Sequence, residues 1–195
     1  MEIYLMRHGE TRANHDLIIQ GDSNAPWTQL TAAGRAQAAG MHDRLAALHP
    51  TQIFCSPLDR TRETLAQALG DVPVTFDTRL REIHYGSFQG HTQEWVKTMY
   101  PEWWHAAVGN VLSGYESVSG GESFTDVARR TMAFLRSIPE QAGPVLVITH
   151  GFVIRSALAG ILEVPETETL LEPPNVSLTR VTRDCDNFAV WYYGR

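Results

Sequence analysis

Two cysteines, Cys55 and Cys185, are all that the 195-residue chain contains, and they stand far apart in no metal-ligating spacing. That scarcity argues against a disulfide-built scaffold and a cysteine zinc site, and makes a reducing cytoplasm the expected location. A bridge between the two is left open. No window approaches the ~20 consecutive apolar residues that a membrane span requires. Arg7 and Glu10 interrupt the first apolar run too early for a secretory signal. Basic charge is scarce as well: 16 Lys and Arg face 22 Asp and Glu, a formal net charge of −6. Nucleic acid and anionic membranes want a basic surface, so neither is an expected partner. A phosphorylated small molecule needs only a local cluster of cations and stays open. Walker and Rossmann glycine patterns are missing, and so is a His-Glu-x-x-His helix. A cysteine-dependent phosphatase needs five residues between its Cys and its Arg. Four separate Cys55 from Arg60.

What is present is an ordinary globular composition, 43% hydrophobic and 19% charged, at a length suited to a single domain over residues 1–195. Ile3-Tyr4-Leu5-Met6 reads as a strand that empties into Arg7-His8-Gly9-Glu10-Thr11. In open α/β sheets, ligands bind at the carboxyl ends of strands. There Arg7 offers a planar fork of donors for phosphate or carboxylate. His8 can attack, shuttle a proton or bind a metal. Gly9 would let the chain approach a ligand closely.

Further along, Thr11 to Thr28 reads as a long polar loop, and Thr31 caps a helix running to Leu48. Ile53-Phe54-Cys55 is a second strand, a helix follows from Leu58 to its stop at Gly70, and Val72 to Phe76 is a third strand. Val145-Leu146-Val147-Ile148 is apolar without alternation, as a strand buried on both faces is, and it ends in Thr149-His150-Gly151. The helix before it shows the clearest periodicity, from Phe124 to Ile138, and another runs from Val153 to Leu162. Val176 to Thr182 and Phe188 to Tyr193 alternate like a closing hairpin. The fold expected is α/β, a mostly parallel sheet flanked by helices on both faces. Residues 84–121, with Tyr85, Phe88, Trp95, Tyr100, Trp103, Trp104 and Tyr115, break the alternation. They read either as an aromatic lid over the site, with Tyr100, Trp103 and Trp104 facing it, or as the filling of a subsidiary core.

Arg7-His8-Gly9, Ser56-Pro57-Leu58-Asp59-Arg60-Thr61-Arg62 and Thr149-His150-Gly151 occur in that order after three strands. Together they resemble the histidine phosphatase superfamily, which includes the cofactor-dependent phosphoglycerate mutases. Glu10-Thr11, Asn14, Leu30-Thr31 with Gly34, Leu80-Arg81-Glu82 with Gly86 and Gly90, and Gly121-Glu122-Ser123 extend the likeness over nearly the whole chain.

The resemblance implies that His8 is the nucleophile and forms a phosphohistidine, its other ring N–H held by a nearby carbonyl. Arg7, Arg60 and a protonated His150 would surround the phosphoryl oxygens, with Asn14, Gln20, Gly21 and the Gly151 amide as supplementary donors. Glu82 would be the general acid, with Glu63 and Glu122 as rival carboxylates. Arg62 would support the site from outside. No metal and no cofactor are implied. The chain is short for a mutase and carries Thr11 where mutases usually have Ser, which favours a phosphatase resembling α-ribazole and broad-specificity phosphatases. A phosphoglycerate mutase is the alternative. A non-catalytic phospho-ligand binder would lack the nucleophile or the acid, and neither is missing. The expected partner is a phosphorylated metabolite; a homodimer is left open.

Overall fold

In the computed structural model, which describes residues 1–140, 143–165 and 167–195, the three motif-bearing strands lie side by side. The chain runs through β1 (Glu2–Arg7), α1 (Arg12–His15), α2 (Ala32–Ala39), α3 (His42–Ala46), β2 (Gln52–Cys55), α4 (Asp59–Leu69) and β3 (Thr75–Phe76). It continues through α5 (Gln93–Met99), β4 (Trp104–His105), β5 (Asn110–Val111), α6 (Glu116–Ser119), α7 (Phe124–Ser137), β6 (Val145–Thr149), α8 (Gly151–Leu162), β7 (Leu178–Asp184) and β8 (Asn187–Tyr192). The main sheet has the order β3-β2-β6-β1-β7-β8. β3, β2, β6 and β1 are mutually parallel, and β7 and β8 close one edge antiparallel.

Side chains alternate along a strand, so a sheet covered on both faces must send neighbouring residues into different cores. That is what β1 and β6 do. Ile3, Leu5, Val145 and Val147 join a core with α7 and α8 residues such as Val127, Phe134, Phe152 and Ile154. Tyr4, Met6, Leu146 and Ile148 join a second core with Leu45 of α3 and Leu65 of α4. Every residue of β6 is buried, as its unbroken apolar run requires.

Three departures from the sequence reading have local causes. The helix expected from Thr31 to Leu48 is two helices, α2 and α3, broken at Gly40-Met41. Glycine is a poor helix residue, and the chain turns there. The third strand shrinks to Thr75–Phe76, because Pro73 has no N–H for the ladder and Val72 and Val74 turn onto the second core. Glycine at position 9 serves the fold: a Cβ there would lie 2.6 Å from the Gly34 carbonyl oxygen of α2. What lies closest to Gly9 is the backbone of Gly34.

Residues 84–121 form short helical turns, α5, the β4–β5 ribbon and α6. Phe88 and Tyr115 are fully buried in the first core, and Trp95, Tyr100, Trp103 and Trp104 pack against it. The aromatics thus extend the main core; they do not form a separate one. Cys55 is buried in the second core, and burial pushes its thiol up to about 12. It is far too weak an acid to supply a thiolate. We expect Cys55→Ser to keep kcat within a few-fold with some loss of thermal stability. A collapse of activity in a folded variant would return the cysteine to the chemistry.

Candidate active site

The carboxyl ends of β1, β6 and β2 open onto a cleft lined by Arg7, His8, Arg60 and Glu82. His8 follows β1 directly and is almost completely buried. Its Nδ1 lies 2.7 Å from the Gly9 carbonyl oxygen. A carbonyl can only accept, so Nδ1 carries the proton and Nε2 keeps its lone pair. Burial, then the charges of Arg60 and Arg7, hold the imidazole well below its usual pKa, so it is neutral near pH 7.

Arg60 sits in the first turn of α4, buried, with Nη2 donating to the Gly21 carbonyl at 2.7 Å and Nη1 to that of Ser23 at 3.1 Å. It pairs with neither Asp59 nor Glu63. Burial lowers even this guanidinium to about 10. Arg7 donates from Nη1 to the Pro173 carbonyl at 2.7 Å and from Nη2 to Glu172 at 2.6 Å. The Nε atoms of Arg7 and Arg60 are buried without a partner among the described residues. Orphaned buried donors of this kind are what an anionic ligand would satisfy.

His150 stands behind His8, ring centroids 5.3 Å apart and edge-on. Its Nε2 is 2.8 Å from Ser56 Oγ, and its Nδ1 has no partner among the described residues. The Ser56-Pro57 turn therefore fixes the second histidine as well as starting α4. His150 is fully buried and, like Gly151, is not among the residues lining the open cleft. Burial, Arg60 and the neighbouring His8 also lower its pKa well below 6.5, so the ring is neutral near pH 7 and not the protonated imidazole that the resemblance implied.

Glu82 lines the cleft and is buried, with Oε1 accepting from the Ile83 amide at 3.0 Å and Oε2 from that of Phe152 at 3.4 Å. Burial raises its pKa, Arg60 partly opposes this, and Glu172 reinforces it. The segment carrying it is clamped by Arg130, which donates to the carbonyls of Arg79, Arg81 and Glu82 while paired with Glu122. Of the rival carboxylates, Glu122 is thus a strut and Glu63 pairs with Arg35 at 2.7 Å. Arg62 lies over the Phe76 ring, away from the cleft.

Asn14, Gln20 and Gly21 all line the cleft. Thr11 caps α1 and holds the side-chain oxygens of Asn14 and Gln20, which leaves their amide nitrogens as the ends that could meet an anion. Gly21 contributes chiefly its carbonyl, which grips Arg60. Its φ is +55°, and a Cβ would collide with Gln89.

Sequence reasoning missed Arg155 and Glu172. Arg155 of α8 is buried, lines the cleft, donates to the Thr167 carbonyl at 3.2 Å, and leaves Nε without a partner among the described residues. An arginine in the middle of the apolar run after His150-Gly151 was the available signal. For Glu172, in a proline-rich loop, the sequence held none. Of the three aromatics expected to face the site only Trp104 does, joined by Tyr85. Tyr100 and Trp103 are turned to the core. No group of three or more His, Cys, Asp or Glu that could hold a metal ion occurs among the described residues. Nor is any helix among them long and apolar enough to cross a membrane.

Residues 3–194 match the profile of the histidine phosphatase superfamily (branch 1), and the chain belongs to that superfamily. Within it, the chain is 35% identical over 188 residues to the probable phosphoglycerate mutase GpmB of Salmonella paratyphi C, covering 93% of this chain and 84% of that one. Among solved structures it resembles the mycobacterial glucosyl-3-phosphoglycerate phosphatase, with a TM-score of 0.81, 28% identity, and coverage of 97% and 96% of the two chains. Bacillus stearothermophilus YhfR is equally similar, with a TM-score of 0.82, 28% identity, and coverage of 99% and 96%.

Proposed function

We propose that the protein is a phosphomonoesterase that hydrolyses a small phosphorylated metabolite through a phosphohistidine on His8. One observation carries the reading: the Nδ1–H of a buried, neutral His8 is tied to the Gly9 carbonyl, which leaves Nε2 to attack among two arginines. Nε2 attacks phosphorus as the ester P–O bond breaks, and Glu82 gives its proton to the departing oxygen. Water then attacks phosphorus and breaks the P–N bond, while Glu82 takes the water proton and phosphate leaves. Arg7, Arg60 and His150 stabilise the equatorial oxygens, the role that Mg²⁺ fills in many other phosphoryl transferases, so the reaction is proposed to need no metal. Asn14, Gln20 and the Gly151 amide are proposed as further donors to substrate.

The relatives named as mutases make phosphoglycerate mutase the competing reading. A mutase must hold a second acidic group while the substrate reorients. Lys97 is the only Lys or Arg between residues 84 and 121, and it is paired on the surface with Glu94. That favours hydrolysis. The deciding experiment is a screen of phosphorylated metabolites in EDTA, with 3-phosphoglycerate isomerisation measured beside it. Metal-free release of phosphate supports the proposal; isomerisation outpacing hydrolysis overturns it.

Trp104 supports a preference among substrates. Its indole lines the cleft, so aromatic leaving groups should gain from it. Trp104→Ala should raise KM for aryl phosphates roughly three- to tenfold and affect glycerol phosphates less. Equal effects on both, with a lowered Tm, would make Trp104 a purely structural residue.

A further inference from the structure

Glu172 is the second carboxylate, beside Glu82, in a cleft proposed to bind an anion. Its oxygen is 2.6 Å from Nη2 of Arg7, and its side chain lies over the start of α8, where a Cβ on Gly151 would come within 2.4 Å of Oε1. Arg7 and the Gly151 amide are two of the groups that the phosphatase reading gives to the phosphoryl oxygens. Arg7 has Nη1 on the Pro173 carbonyl and Nη2 on Glu172, so a phosphoryl oxygen that takes the N–H now held by Glu172 displaces the carboxylate, and one that takes the free Nε–H sits beside its charge. From this geometry we infer that Glu172 is a built-in competitor of the phosphoryl group: its carboxylate occupies part of the anion subsite at rest and yields it to substrate.

The surroundings make such an exchange local. The backbone on either side is fastened: the Pro173 carbonyl holds Arg7, Asn175 Nδ2 donates to the His8 carbonyl at 3.0 Å, and Tyr193 OH donates to the Leu171 carbonyl. The Glu172 side chain itself is 45% exposed, so it has solvent to turn into. A resting carboxylate on Arg7 keeps that guanidinium from being an unpaired buried charge. It also lowers the affinity of any small anion that lacks an attached leaving group. The functional consequence is weak product inhibition: once the ester is cleaved, inorganic phosphate competes with a group already tethered beside its site.

The inference rests on the proposed phosphatase site, and the test separates the two. Inorganic phosphate is titrated calorimetrically into the full chain, wild type, Glu172→Gln and Glu172→Ala, at pH 7 and constant salt. Release of a like charge from beside the site should tighten phosphate binding about tenfold or more in both variants, and the Ki for phosphate in hydrolysis should fall in step. The glutamine variant keeps size and hydrogen bonding, so it separates charge from packing. An unchanged or weaker Kd would make Glu172 a residue that merely positions Arg7, and the inference falls. If that happens while wild type hydrolyses phosphomonoesters, the phosphatase reading stands. If no variant binds phosphate and no ester is hydrolysed, both fall together.

Discussion

His8→Ala should lose turnover by a factor on the order of 10⁴ or more, because removing a covalent nucleophile removes the reaction path and not one of its aids. The expectation is sharper than loss of activity. Brief exposure of the wild type to labelled substrate, followed by a denaturing quench, should trap a phosphoryl group that survives base and is lost in acid. His8→Ala should trap none. A His150 variant should still trap it, more slowly, because Nε2 of that ring is engaged with Ser56 and its Nδ1 is the end left to meet a phosphoryl oxygen. Near wild-type turnover in His8→Ala, or label persisting on another residue, would remove the phosphohistidine from the mechanism.

The candidate site was legible because its parts are contiguous with strand ends. Arg7-His8, Ser56 to Arg60 and His150 each follow a short apolar run, and a parallel sheet brings such ends to one edge. Cover on both faces of β6 was legible too, because an unbroken apolar strand needs it. What escaped was everything set by tertiary return. Glu172 reaches Arg7 only because the chain leaving α8 passes the cleft before entering β7, and no local pattern encodes that passage. Arg155 falls between. It stands four residues after Gly151 and so shares a helix face with the site end of α8, yet the sequence reading took the run around it only as a helix. The aromatic segment was ambiguous because it is made of short turns with no sustained period. Trp103 and Trp104 are neighbours, and only the second reaches the cleft.

The acid is where the proposal is most exposed. A general acid matters in proportion to how badly the leaving group needs a proton. An alkyl alkoxide needs one; p-nitrophenolate leaves as a stable anion. Glu82 is buried, its pKa is raised, and the two carboxylates that rivalled it in the sequence are engaged with Arg130 and Arg35. Glu82→Gln keeps the size and can still accept from the Ile83 amide, but it has no proton to give. Single-turnover phosphorylation by alkyl phosphates should slow by ~10²–10⁴-fold, and by p-nitrophenyl phosphate much less. The first half-reaction must be measured, since Glu82 is also assigned the water that clears the intermediate. The pH profile supplies a second readout. Glu82 acts protonated, so kcat/KM for alkyl phosphates should fall as pH rises through its raised pKa, and that limb should vanish in the glutamine variant. His8 acts neutral, and its depressed pKa places the opposing limb below 6.5. If both substrates lose the same factor and the alkaline limb survives, Glu82 holds phosphate or the fold, and the proton comes from elsewhere in the cleft.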